Sequence, residues 1–266
     1  MRFIQSIFIL IFSLSCSINL LGQYKVDSSR IVRILSFNIL HGATVNNDFD
    51  LDVIANAIKA TKPDLVALQE VDFMTNRAKK MDLVTELATR TKLVPLFGRA
   101  MEYDDGEYGE GILSRYSFLS TQVHPLRYEE GYEPRTALAA AVILKSGDTI
   151  QFIGTHLDHI KDERVRMQQA EDLVTIFKNT NYPAILAGDL NALPNSNPMK
   201  EIYKIWTKGD PTNQPTYPSD DPTKKIDYVL YQPANRWRVL ETKVIDEKIA
   251  SDHCPLLTVL ELLPGR

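Results

Sequence analysis

Asn38, Glu70, His156, Asp189 with Asn191, Asp227, and Asp252 with His253 follow one another near the ends of apolar runs that read as strands. In α/β sheets ligands gather outside strand ends, because the apolar run buries itself and the residue beyond it faces the crevice. The ordered set has the outline of a hydrolytic metal site. Glu70 and Asp252 are hard oxygen donors and Asn38 is a neutral one, a mixture that suits Mg²⁺, with Mn²⁺ as a substitute; zinc would want more His or Cys. Taken singly, Glu70 also reads as a solvated strand-end charge, and Asn38 and Asp252 as turn or cap residues.

Gly188-Asp189-Leu190-Asn191 puts two polar side chains two residues apart, so both can point to one side while Gly188 permits a close turn. Asp189 can then orient or deprotonate a water, and Asn191 can bind a phosphoryl oxygen; an Asx-turn is the plain alternative. His253 can act on a phosphoryl oxygen if Asp227 holds its other nitrogen, which would raise its pKa and fix its tautomer. His156 and His159, in Thr-His-Leu-Asp-His, can supply a second cationic donor, although a structural role suits His159 as well. Arg135, after a turn at Glu133-Pro134, is either a bidentate phosphate clamp or an ordinary surface arginine. Asp158 reads as a loop-ordering carboxylate, Lys161, Arg164 and Arg166 as a solvated mixed face, and Cys254 as a buried inert thiol.

These residues need a frame. Ile31 to Phe37 reads as a first strand running into Asn38. Asp50 caps a helix with Leu51, Ile54 and Ile58 at helical spacing, and Leu65 to Leu68 is a short buried strand delivering Glu70. A second helix is expected over Asp82 to Arg90, and a strand at Gly111 to Leu113. Ala137 to Leu144 and Thr149 to Gly154 flank Ser146-Gly147-Asp148, which is hairpin chemistry. The helix over Glu163 to Lys178 carries an apolar stripe of Ala170, Leu173, Val174 and Phe177, so it lies on a sheet. Ala184 to Ala187 leads into Asp189, residues 207–224 read as a surface loop beside the site, and Ile226 to Tyr231 and Leu256 to Leu260 are closing strands. No internal repeat shows in the sequence, and one mixed α/β domain over residues 31–263 is expected, after a short segment at 23–30.

The 266 residues are 44% hydrophobic and 24% charged, an ordinary globular composition. Arg2 followed by the apolar run Phe3 to Leu14 has the size of a signal-peptide core and is short for a membrane span. Residues 1–22 are therefore expected to be a leader, with export to a periplasmic or extracellular location and no transmembrane span once it is removed. Lipid anchoring at Cys16 is the minority alternative. Loss of the leader would leave Cys254 alone and exclude an internal disulfide. The formal charge of −4 repels long polyanions on average, and no long basic stripe offsets it, so long nucleic acid is not the favoured partner. A monomer is the default expectation.

Seven short segments in this order carry a resemblance. They are Ser36-Phe37-Asn38, Leu68-Gln69-Glu70-Val71, Gly111-Ile112-Leu113-Ser114-Arg115, Thr155-His156-Leu157, Gly188-Asp189-Leu190-Asn191, Ile226-Asp227-Tyr228 and Ser251-Asp252-His253-Cys254-Pro255. Together they span about residues 31–260, and the chain resembles the endonuclease/exonuclease/phosphatase superfamily, the deoxyribonuclease I-like metal-dependent phosphohydrolases. The resemblance implies a four-layer α/β/β/α sandwich, two mixed β-sheets face to face with helices outside, and hydrolysis of a phosphoester by in-line water. It assigns Mg²⁺ to Glu70 with help from Asn38 and Asp252. It gives water alignment to Asp189, phosphoryl contacts to Asn191 and His253, and orientation of His253 to Asp227. Glu110 is implied as the carboxylate that orients His156.

His156 separates the chain from apurinic endonucleases and brings it nearer the nuclease, sphingomyelinase and 5-phosphatase branches. The leading expectation is an exported Mg²⁺-dependent phosphodiester hydrolase acting on a small or lipid-linked phosphodiester. A secreted nuclease on DNA or RNA comes next, then a phosphomonoesterase on sugar or inositol phosphates, and last a non-catalytic binding module.

Overall fold

The computed structural model describes residues 26–265; the expected leader and Cys16 lie outside them. Along the chain run β1 (Ile31–Asn38), α1 (Leu51–Thr61), β2 (Leu65–Phe73), α2 (Leu83–Thr91), β3 (Val94–Tyr103), β4 (Gly106–Ser114), β5 (Phe118–Pro125) and β6 (Thr136–Ile143). Then come β7 (Thr149–His156), α3 (Arg164–Phe177), β8 (Ala184–Asp189), α4 (Asn197–Ile202), β9 (Thr207–Lys208), β10 (Asp227–Gln232), β11 (Trp237–Val244) and β12 (Leu256–Leu262).

Local chemistry explains the helix limits. The Asp50 carboxylate accepts from the amides of Asp52 and Val53 at the start of α1, which ends at left-handed Lys62 before Pro63. The Asp82 carboxylate accepts from the Thr85 amide to open α2. These caps satisfy amides that have no partner within the helix. The apolar faces of α1 and α2, through Ile54, Ile58, Leu83 and Leu87, pack on one side of the first sheet. In α3, Ala170, Leu173 and Phe177 pack on the outside of the second.

The strands form two six-stranded sheets, ordered β11-β12-β1-β2-β4-β3 and β5-β6-β7-β8-β10-β9. A third apolar cluster, including Ile34, Leu65, Ile112, Phe152, Ile185 and Leu260, lies between them. The result is a four-layer sandwich of helices, two mixed sheets and helices. Most strands are buried on both faces and read as continuous apolar runs rather than alternating ones.

Each sheet has a parallel pair at its heart, β1 with β2 and β7 with β8. Each pair has antiparallel neighbours, β12 and β4 in the first sheet, β6 and β10 in the second. The carboxyl ends of both parallel pairs come out at one end of the sandwich, and the chemistry-bearing residues stand there.

Candidate active site

In the first sheet, Asn38 ends β1 in register with Gln69 of β2, and the next residue is Glu70. The β2–β4 register slips between Leu68 and Val71, and Glu70 takes a left-handed backbone with φ 56°. A bulge of this kind turns a side chain that would otherwise follow the pleat. Here it frees Glu70 to face the crevice. In the second sheet, His156 and Asp189 sit directly opposite each other at the ends of β7 and β8, and Asp189 pairs with Asp227 at the start of β10. Gly188 is required by that close packing, since a Cβ there would lie 1.9 Å from the Thr155 carbonyl oxygen.

The two halves meet side chain to side chain. Asn38 Nδ2 donates to Glu70 at 3.0 Å and to Asp189 at 3.3 Å across the sandwich. His253 Nδ1 lies 3.0 Å from Asp227 Oδ2, and its Nε2 is 3.6 Å from Asp189 Oδ2. Asn191 donates its amide N–H to Asp189 at 2.9 Å, and its side-chain nitrogen lies 2.9 Å from His156 Nε2. Asp252 borders the same cavity of about 860 Å³ as Glu70, His156, Asp189, Asn191 and His253.

Electrostatics divide these groups. Burial works against charge on His253, but Asp227 and Asp189 outweigh it and raise the pKa, so the ring is an imidazolium near neutral pH. Burial, reinforced by Asp227, raises Asp189, with His253 opposing. Glu70 moves the other way: burial works to raise it, yet the hydrogen bond from His41 and the neighbouring histidines and Asn38 bring it below the usual carboxylate range. His156 is lowered by burial first and then by Arg135.

Asp189, Asp227 and His253 form a cluster whose ligand atoms all lie within 4.8 Å of one another. The imidazolium already supplies the positive charge between those two carboxylates, so this cluster is better suited to holding a proton than an ion. The oxygen donors that suit a divalent cation are Glu70 and Asp252. Burial and then the like charge of Glu70 raise the Asp252 pKa, after partial relief by His253. Two carboxylates that repel each other across a crevice, one of them strongly ionised, match a hard cation with retained waters.

Arg135 is 3% exposed, not a surface residue. Its Nη1 lies 3.2 Å from His156 Nδ1, its Nη2 is 3.4 Å from His159 Nδ1, and Nη2 also pairs with Glu133 at 2.8 Å. That corrects two expectations. Burial, and then the neighbouring Arg135 guanidinium, lower the His156 pKa well below its usual value, so the ring is neutral and not a second cationic donor. It is also Arg135, not Glu110, that stands at Nδ1 of His156. Glu110 is buried, has one carboxylate oxygen without a hydrogen-bond partner, and is raised well above its usual pKa by burial.

Arg166 departs from the solvated reading too. It is buried and donates to the carbonyls of Asp158 and Ile160 at 2.6 and 3.1 Å, while Gln169 accepts from the Asp158 amide. Together they hold the loop after His156. His41, 3.5 Å from Glu70, and Tyr217, whose ring lies 4.8 Å from His253, were not singled out by the sequence. Only the position of His41 three residues beyond Asn38 hinted at it.

Residues 35–253 match the profile of the endonuclease/exonuclease/phosphatase family. The chain belongs to that family. It is a family of phosphoester hydrolases that are usually metal-dependent. The uncharacterized protein YbhP of Escherichia coli (strain K12) is 23% identical over 245 residues, covering 86% of this chain and 96% of that one. A family structure from Bacteroides vulgatus superposes with a TM-score of 0.72 at 24% identity, over 87% of this chain and 99% of the other. The human Nocturnin catalytic domain with bound sulfate gives 0.70 at 20%, over 88% and 95%. A mannosyl-6-phosphatase of Bacteroides thetaiotaomicron gives 0.68 at 19%, over 88% and 100%. At these identities the solved structures share the fold with this chain.

Proposed function

We propose that this chain is an exported, Mg²⁺-dependent phosphodiester hydrolase acting on a small or lipid-linked phosphodiester. The observation that carries the reading is the convergence at one end of the sandwich of the Asp227–His253 pair, the Asp189–Asn191 turn and the Glu70/Asp252 carboxylates. Asp189 accepts from the Asn191 amide with Oδ1, leaving Oδ2 turned toward the crevice between His156 and His253. A water placed there is oriented for in-line attack and gives its proton to Asp189. The His253 imidazolium, held by Asp227, donates to a phosphoryl oxygen, and the Asn191 side-chain amide contacts another. Glu70 and Asp252, with Asn38 orienting Glu70, would hold a divalent cation, which when bound would supply Lewis-acid stabilisation of the charge that builds on the phosphoryl oxygens.

The cavity is sized for a small ligand or headgroup, and the negative surface disfavours long nucleic acid. Among the described residues no helix is long and apolar enough to cross a membrane. Export rests on the character of residues 1–22, and a monomer is the proposed state. A second reading, a phosphomonoesterase, is favoured by Lys161 and Lys224, which line the cavity and would suit a dianionic ester. The test compares a chromogenic phosphodiester with its monoester. A higher kcat/KM on the diester supports the first reading, and a higher value on the monoester replaces it with the second.

A further inference from the structure

His253 and Asp227 come from different sheets: Asp227 opens β10 in the second, and His253 lies in the turn before β12 in the first. Packing between sheets fixes their separation only as closely as apolar side chains allow, and a displacement of about 1 Å at a reacting group can cost on the order of 10²-fold in rate. Something more directional is needed between them.

The segment between β9 and β10 provides it. Thr216 is fully buried. Its Oγ1 accepts from the amides of Asp227 at 3.2 Å and Ile226 at 3.4 Å. Its carbonyl accepts from the amide of Cys254, the residue after His253, at 2.8 Å. One residue thus grips the backbone on both sides of the pair. Ser219, also buried, extends the grip: its amide donates to the Asp252 carbonyl and its Oγ to the Ser251 carbonyl, each at 2.7 Å. The segment is anchored in turn by the buried Lys225–Asp210 ion pair at 3.1 Å, with Asp210 also accepting from Thr212 and Gln214.

We infer that Thr216, supported by Ser219, is a positioning residue that sets the Asp227–His253 geometry for phosphoester hydrolysis. The inference rests on the reading of that pair given above. Tyr217, next in sequence, lies against the His253 ring and borders the cavity, so the segment that fixes the pair also faces the substrate.

The experiment is steady-state kinetics of the full chain with Mg²⁺ and a chromogenic phosphoester, beside thermal melts. Thr216→Val removes the acceptor oxygen at nearly constant volume and is expected to lower kcat roughly 10- to 100-fold with KM within about twofold. Thr216→Ser keeps the oxygen and restores kcat to within about threefold. Adding Thr216→Val to Asp227→Asn brings no further loss, because the effect runs through the pair. Ser219→Ala, which keeps the amide contact, gives a smaller kcat loss and carries the test if Thr216→Val does not fold. Native kcat in Thr216→Val, a loss that serine fails to restore, an additive loss in the double variant, or native kcat in Ser219→Ala would overturn the inference. Full activity of Asp227→Asn and His253→Ala would show instead that the parent reading had failed, and the inference would fall with it.

Discussion

At the residue scale the crevice works by giving neighbouring groups opposite electrostatic fates. Asp227 keeps His253 charged, while Arg135 and burial keep His156 neutral. Environments that push neighbouring groups apart are how one site supplies both acid and base. Asp189→Asn would remove the proposed proton acceptor and is expected to lower kcat by a factor on the order of 10² to 10⁴ with the fold intact; unchanged turnover would take Asp189 out of the chemistry. Glu70→Gln is expected to shift the Mg²⁺ requirement to higher concentration, and superimposable metal titrations would show that the ion sits elsewhere. The sequence named these two residues because a strand end followed by a carboxylate is visible in one dimension. It did not show which group faces which nitrogen of His156, since Glu110 lies on β4 and Arg135 just before β6, and their distances follow from packing between sheets.

At the element scale, strands with long apolar runs were legible and strands without them were not. β1, β2, β7, β8, β10 and β12 are buried over most of their length. β5 is exposed at most positions and β3 at both ends, so neither carries a clear apolar pattern, and β11 is buried at only one of its eight positions. These are edge strands, whose pairing is imposed by a neighbour. The segment over 207–224 does lie beside the site, yet its grip on Asp227 and Cys254 came from hydrogen bonds no periodicity encodes. Its anchor makes a stability prediction. Asp210→Asn leaves the Lys225 ammonium buried without its partner and is expected to cost about 3–5 kcal/mol in urea unfolding. The double variant Asp210→Asn/Lys225→Met should recover much of that loss. A single variant within about 0.5 kcal/mol of the native protein would mean the pair is not an anchor.

At the scale of the whole molecule, two sheets of like topology, each with a parallel pair bridged by one helix, face each other and open their strand ends to the same side. No repeat is visible in the sequence because the likeness lies in burial and strand direction, not in residue identity. The motifs nevertheless implied the sandwich through the family resemblance they carry, and most of them lie at or beside one end of a strand. Export belongs to this scale as well: protein recovered outside the cytoplasm is expected to begin near Gln23, and an intact Met1 on exported protein would contradict a cleaved leader.

The proposed hydrolysis of a phosphodiester at this end of the sandwich depends on His253 as the cationic partner. The most direct measurement is the Mg²⁺-dependent rate of chromogenic phosphodiester cleavage by the native protein and by His253→Ala, both shown to be folded. Metal-dependent turnover that falls by a factor on the order of 10² to 10⁴ in the variant is expected. Equal rates for the two proteins, or turnover indifferent to added Mg²⁺ and to chelator, would contradict it.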